Sequence, residues 1–248
     1  MLAVDTIELN RLTQSLNKDY GALPSLELLD IMINNIFKDK IALVSSFGTE
    51  AALLLSLVSK VNKNTPVVFL DTGMHFPETL EYRDSLIERL GLTDVRSVKP
   101  EPASVQAIDP ENNLWKSDTD KCCYIRKVLP LAEALSGFDA WINGRKRIHG
   151  GLRSELPTLE NDGKHIKVNA IADWDREMID AHWEKENLPE HPLVQWGYTS
   201  VGCKPELCTQ KAAPGEGGRS GRWANMGKTE CGIHSLGKTE TDTSGGGI

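Results

Sequence analysis

Five cysteines carry most of the chemical potential of this chain. Four form two pairs, Cys122-Cys123 and Cys203/Cys208, while Cys231 stands alone in Lys228-Thr229-Glu230-Cys231-Gly232-Ile233-His234. Four ligands and one leftover are the arithmetic of a metal centre plus a nucleophile. Adjacent cysteines bridge each other badly, and in a reducing compartment thiols bind metal or react more often than they pair. Cys231 lies between a Gly-rich stretch and a polar, Gly-ended tail, where a chain is normally mobile and exposed, so it is a poor structural cysteine. Its thiolate is the reactive form and needs positive charge nearby. Arg219, Arg222, Lys228 and His234 are candidates for that charge, and the adjacent Glu230 would oppose ionisation.

A second group of residues suits an anion. Ile41-Ala42-Leu43-Val44-Ser45-Ser46-Phe47-Gly48-Thr49-Glu50 is an apolar run that breaks into a small-residue turn, with a helical stretch from Ala51 to Val58 behind it. Strand, turn and helix in that order aim backbone N–H groups and hydroxyls at a phosphate. The turn lacks the Lys of a Walker A loop and the three glycines of a dinucleotide fingerprint. Farther on, Ala140-Trp141-Ile142-Asn143 runs into Gly144-Arg145-Lys146-Arg147-Ile148-His149-Gly150-Gly151-Leu152-Arg153, a basic, glycine-bearing run at a strand's carboxyl end. Arg126 and Lys127 follow the first cysteine pair directly.

The elements that must position these residues alternate. Pro66 to Leu70 is apolar throughout, as a strand covered on both faces should be, and ends in Asp71-Thr72-Gly73 before a helix from about Pro77 to Leu90. Asp94 to Val98 reads as another strand, and the helical pattern resumes through Leu129, Leu131, Ala132 and Leu135. Strands alternating with such helices imply a parallel, doubly wound α/β sheet whose ligand lies beyond the strands' carboxyl ends. Two helices are expected before the first strand, about Val4 to Leu16 and from Ser25, as its cap, to Phe37. Glu101 to Asp120 is expected to be a loop, Asp162-Gly163 a turn between two extended stretches, and Trp174 to Glu184 a helix. One domain over residues 1–226 and a mobile segment over 227–248 carrying Cys231 complete the expected plan.

Composition narrows the classes. With 248 residues, 40% hydrophobic and 25% charged, the chain buries a sizeable core. A net charge of −7 argues against non-specific nucleic-acid binding. With no signal-like start and no span-length apolar run, the expectation is a soluble, cytoplasmic protein without a membrane partner.

Several motifs then agree. Ser45-Ser46-Phe47-Gly48, Leu70-Asp71-Thr72-Gly73, Cys122-Cys123 with Arg126-Lys127, Gly144 to Arg147, Gly221-Arg222-Trp223 and Glu230 to His234 together resemble the assimilatory sulfonucleotide reductases. The paired cysteines are similar to those of the iron–sulfur branch, the thioredoxin-dependent adenosine 5′-phosphosulfate reductases. The resemblance runs from about Ile41 to His234. It implies a PP-loop, adenine-nucleotide-hydrolase-like fold and a four-iron four-sulfur (4Fe-4S) cluster on Cys122, Cys123, Cys203 and Cys208. It further implies reduction of the sulfonucleotide to sulfite and AMP through an S-sulfocysteine on Cys231, released by thioredoxin or a similar dithiol. Ser45, Ser46 and Gly48 would contact phosphate, and Leu70 and Gly73 the adenine side. Lys127, Arg145, Arg153, Arg219 and Arg222 would neutralise the anion.

The chain departs from the family at one place. Cys203 and Cys208 are separated by four residues where the family usually has two, an extra pair most simply taken as Glu206-Leu207. Both spacings occur among iron–sulfur ligands, and zinc on four thiolates stays open as an alternative. Three other readings also stay open: the 3′-phosphorylated substrate, a PP-loop ATP pyrophosphatase of sulfur transfer, and a non-catalytic redox module. Homo-oligomerisation is equally undecided.

Overall fold

The structure, a computed structural model, describes residues 6–204, 208–213, 218, 221–223 and 230–235. Arg219 and Lys228 therefore lie outside the described residues, as do residues 227–229 and 236–248 of the expected C-terminal segment.

Among the described residues the core is a six-stranded sheet in the order β3-β2-β1-β4-β6-β5. The strands are β1 (Ile41–Val44), β2 (Val67–Leu70), β3 (Val95–Val98), β4 (Ala140–Ile142), β5 (Leu159–Asn161) and β6 (Ile166–Val168). Neighbours pair in parallel, except that β5 and β6 form an antiparallel edge across the Asp162-Gly163 turn. The expected doubly wound α/β fold is present with that edge added. Because the chain goes from β1 outward to β2 and β3, then returns to the other side of β1 with β4, the order reverses between β1 and β4. A crevice opens at such a reversal, outside the carboxyl ends.

Period-two alternation fixes which residue faces which layer. Ile41, Leu43, Val67, Phe69, Ala140 and Ile142 join one buried cluster; Ala42, Val68, Leu70 and Trp141 join the other. Complete burial of each large side chain contributes about 2 kcal/mol, so neither face tolerates a one-residue slip.

The helices are α1 (Thr6–Tyr20), α2 (Ser25–Ile31), α3 (Ala51–Val61), α4 (Pro77–Leu90), α5 (Pro102–Ile108), α6 (Leu114–Ser117), α7 (Thr119–Cys123), α8 (Leu129–Ala134) and α9 (Arg176–Lys185). Pro77 starts α4 and Gly91, at φ 64°, ends it in the left-handed region. Helix α3 is buried continuously from Ala52 to Ser59, which suits a helix apolar on nearly all sides.

Two expectations need correction. Ser25 does not cap α2; Pro24 holds the cap position, and the Ser25 hydroxyl accepts from Trp174 Nε1 at 2.8 Å. Nor is Glu101 to Asp120 a loop of little regular structure, since it contains α5, α6 and the start of α7. Side-chain caps start two of these: Glu101 accepts from the Ser104 N–H and Asp118 from the Lys121 N–H. Helices α5 and α6 bury no residue, so no apolar period announces them.

Between α7 and α8 the helix widens into a π turn over Tyr124–Val128. It comes just before Pro130, which has no N–H for the carbonyl four residues back. The widened turn lets consecutive Arg126 and Lys127 both act inside the protein. No helix among the described residues is long and apolar enough to cross a membrane.

Candidate active site

At the β1/β4 reversal lies a cavity of about 220 Å³. Ser45, Ser46 and Gly48 line it from the turn after β1, Leu70 from the end of β2, and Asn143, Gly144 and Arg145 from the end of β4. Lys127, Arg153, Arg222 and Cys231 complete the wall. Sequence separations of more than a hundred residues thus converge on one edge of one sheet. Gly73 stays apart: it is exposed at φ 71°, does not line the cavity, and its N–H donates to Asp71.

The turn after β1 is held by strain and by close approach. Phe47, not Gly48, takes the left-handed backbone, at φ 48°, and its ring is buried edge-on against Phe69. A bulky residue in that region is sterically disfavoured and persists only when its surroundings fix it. The Phe47 N–H also donates to Ser45 Oγ at 3.2 Å. At Gly48 a Cβ would stand 3.0 Å from the Val201 carbonyl, so glycine lets the segment before Cys203 pack onto the turn.

The four paired cysteines do not line the cavity; they are buried behind it and carry no disulfide. Cys203 joins His75 in an antiparallel bridge after β2, and Thr72 Oγ1 lies 3.5 Å from Cys203 Sγ. Arg126 pins the other pair: its Nη2 donates to Asp109 at 2.8 Å and to Asn112 at 2.7 Å, and its Nη1 to the Thr72 carbonyl. Burial pushes the Cys122 thiol up to about 11, and the negative charges of Cys203 and Cys208 add to the rise. Thiolates crowded this way are stabilised by a cationic metal. The donor set therefore fits an iron–sulfur centre in kind. Among the described residues no group of three or more His, Cys, Asp or Glu is set to hold one metal ion.

Cys231 differs from the expected exposed thiol. It is half-buried and packs against the Cys203, Cys208 and Trp223 cluster. The Cys123 thiol hydrogen-bonds it, and with Lys127, the Ile233 N–H and Arg222 this holds its pKa well below the usual thiol value, although burial opposes the shift. Burial alone would lower Lys127; the electrostatic influence of the Cys203, Cys231 and Cys123 sulfurs instead holds it firmly protonated. Lys127 is thus the cation shared by Cys231 and the paired cysteines, a role that Arg222 supplements. Glu230 is no bare charge beside the thiol, because Arg153 takes both its oxygens, the Nη2–Oε2 contact being 2.8 Å. Beyond Cys231, His234 stacks on Trp141 with ring centroids 5.9 Å apart, and its carbonyl accepts from Lys167 at 3.3 Å.

Several cavity residues were not anticipated as site residues. Lys146 meets Glu50 at 2.9 Å, and His149 meets the same carboxylate at 3.2 Å. Although burial raises it, His149 and Lys146 hold Glu50 below the usual carboxylate range. Asn143 Oδ1 accepts from the Arg145 N–H and Nε, which leaves its buried Nδ2 without a partner among the described residues. Arg145 lines the cavity but its guanidinium is engaged by Asn143, Asn169 and Glu160, and burial brings it down to about 10. The pairing of Glu50 with the basic run had no local signal, since the partners lie about a hundred residues apart, after different strands.

The chain from residue 40 to 211 matches the phosphoadenosine phosphosulfate reductase domain. The chain belongs to this family. A relative from Mesorhizobium japonicum named adenosine 5′-phosphosulfate reductase is 47% identical over 218 residues, covering 88% of this chain and 85% of the relative. The crystal structure of phosphoadenylyl-sulfate (PAPS) reductase from Candida auris, a phosphate complex, is 25% identical with a TM-score of 0.65, covering 77% of this chain and 93% of that one. FMN adenylyltransferase from Candida glabrata shares the fold alone, at 14% identity and a TM-score of 0.51 over 95% of this chain and 85% of that one. The family of sulfonucleotide reductases and its mostly parallel α/β fold agree with the expectations from sequence.

Proposed function

We propose that this reductase converts adenosine 5′-phosphosulfate to sulfite and AMP in sulfate assimilation, with Cys231 as nucleophile. The observation that carries the mechanism is that a half-buried, acidified Cys231 and the Lys127 whose charge favours its thiolate line one cavity together with a phosphate-suited turn. The Cys231 thiolate attacks the substrate sulfur; an S–S bond forms, the S–O bond to phosphate breaks, and AMP leaves with the electron pair on oxygen. Lys127, Arg153 and Arg222 offset the charge that gathers on the phosphate and sulfonate oxygens. Ser45, Ser46 and Gly48 orient the phosphate and Leu70 borders the adenine. Gly73 and Arg145 are weaker candidates, one lying outside the cavity and the other already engaged. A thiolate of thioredoxin or a similar dithiol then attacks Cys231 Sγ, expels sulfite, and its second thiol resolves the mixed disulfide. The dithiol supplies both electrons.

Cys122, Cys123, Cys203 and Cys208 are the residues that would hold a 4Fe-4S cluster, which when bound supplies fixed charge beside Lys127 rather than electrons. A zinc ion needs its ligands to converge on one point, whereas four thiolates of a four-iron cluster each take a different iron.

Mass spectrometry after mixing wild type with substrate and no dithiol tests the reaction. One sulfite-mass adduct on Cys231, removed by reduced dithiol, is expected. Cys231→Ser keeps metal and nucleotide binding but forms no sulfite. An adduct on another cysteine, or turnover in Cys231→Ser, overturns the mechanism.

A further inference from the structure

The residue before the nucleophile is the unexplained charge of the site. A carboxylate beside a thiol that must ionise is electrostatically unfavourable unless it has another task. In the structure Glu230 presents both carboxylate oxygens to Nε and Nη2 of Arg153. This two-bond fork fixes orientation as well as distance. Arg153 is itself held in place: its Nη1 meets His149 Nδ1 at 3.3 Å, and His149 Nε2 meets Glu50. The guanidinium side chain is only 6% exposed, so it needs an anion close by, and Glu230 provides one. On the other side of Cys231 the chain is fastened by packing, with Gly232 against Val128 and Ile233 against the Leu70 and Trp141 cluster.

We propose that Glu230 is a positioning residue that latches the Cys231 segment onto Arg153 and so sets the nucleophile beside Lys127. This rests on the reading of Cys231 as nucleophile given above. The latch spends the Glu230 charge on Arg153, which limits its opposition to the thiolate. Because Arg153 also lines the cavity, the latch ties the Cys231 segment to the anion-binding wall.

The test separates position from charge. Deleting Glu230 removes a negative charge near Cys231, which on its own lowers the pH midpoint of alkylation but leaves the high-pH plateau unchanged. Loss of a latch raises the plateau, because the thiolate becomes more accessible whatever its pKa. Iodoacetamide labelling of Cys231 is therefore followed across pH in anaerobically purified, substrate-free protein, with the site of labelling located by mass spectrometry. Glu230→Gln and Arg153→Met are each expected to raise the plateau rate about tenfold, and the double variant no further, since each removes the same contact. Glu230→Asp, which keeps the charge on a shorter arm, falls between wild type and Glu230→Gln. In single-turnover experiments at saturating substrate, Glu230→Gln is expected to slow S-sulfocysteine formation about tenfold. A plateau within twofold of wild type, or single effects that multiply in the double variant, overturns the latch. If wild type forms no S-sulfocysteine, the reduction mechanism fails while the labelling comparison still decides the latch.

Discussion

His191 shows how far a single side chain's environment fixes its chemistry. The imidazole is buried, its Nδ1 accepts from the Leu193 N–H at 3.2 Å, and its Nε2 meets Thr79 Oγ1 at 3.1 Å. A ring that accepts at Nδ1 is neutral and donates from Nε2; protonation would destroy the first contact. Burial holds its pKa down to about 4, with Glu78 pulling weakly the other way. The unfolded chain therefore binds this proton first as the pH falls. Stability from His191 is complete above about pH 6.5, the unfolded value, and is lost progressively as the pH falls toward 4, about 3 kcal/mol in all. Thermal midpoints measured from pH 8 to 4 should fall through that window. His191→Leu, though destabilised at pH 7, should show a flatter profile there; an unchanged slope would assign the acid sensitivity to other groups. Cys231 is the opposite case, a group whose neighbours favour the charged form.

At the scale of elements, the buried Arg126–Asp109 pair joins the irregular stretch before the cysteines to the π turn that carries Lys127. Asp109 also accepts from the Asn113 and Leu114 N–H groups, so one carboxylate caps α6 and holds Arg126. Asp109→Ala leaves a guanidinium buried without its carboxylate, and unfolding in urea should show a loss of about 3 kcal/mol or more. If Cys122 and Cys123 hold the proposed cluster, iron content of the anaerobically purified variant should fall with it, because their helix runs directly into the π turn that Arg126 anchors. Retained stability and iron would show that Asn112 and the Thr72 carbonyl suffice. The pin illustrates where sequence reading stopped. Strands β1, β2 and β4 were legible because each is an apolar run ending in a small or polar turn, and those ends supplied Ser45, Ser46, Gly48 and Leu70. Helices α5 and α6 were not, since they bury nothing and so show no apolar period. The pairings Glu230–Arg153 and Glu50–Lys146 were invisible for another reason: they join residues far apart in the chain, where spacing carries no information.

The charge balance of the whole molecule bears on which sulfonucleotide it prefers. The chain carries a formal −7, so an anionic substrate must be drawn in by a local surplus of cations. That surplus is smaller than the basic run suggests. Lys146 is answered by Glu50, Arg145 and Lys167 by Glu160, and Arg153 by Glu230. Lys127 and Arg222 are the cavity cations for which the structure shows no carboxylate contact among the described residues, and Lys127 also serves Cys231. A 3′-phosphate adds about two negative charges to the substrate. In a cavity where Arg145, Lys146 and Arg153 already have carboxylate partners and Glu50 itself lines the wall, those charges find few uncommitted cations. The form without the 3′-phosphate should therefore be preferred by about tenfold or more in kcat/KM. Added salt should narrow the gap, because screening weakens the repulsion of the extra phosphate at the cavity mouth. Steady-state rates with both sulfonucleotides at low and at physiological ionic strength measure both effects. Equal kcat/KM values, or a gap that widens with salt, would mean that cations outside the described residues, Arg219 and Lys228 first among them, meet the 3′-phosphate.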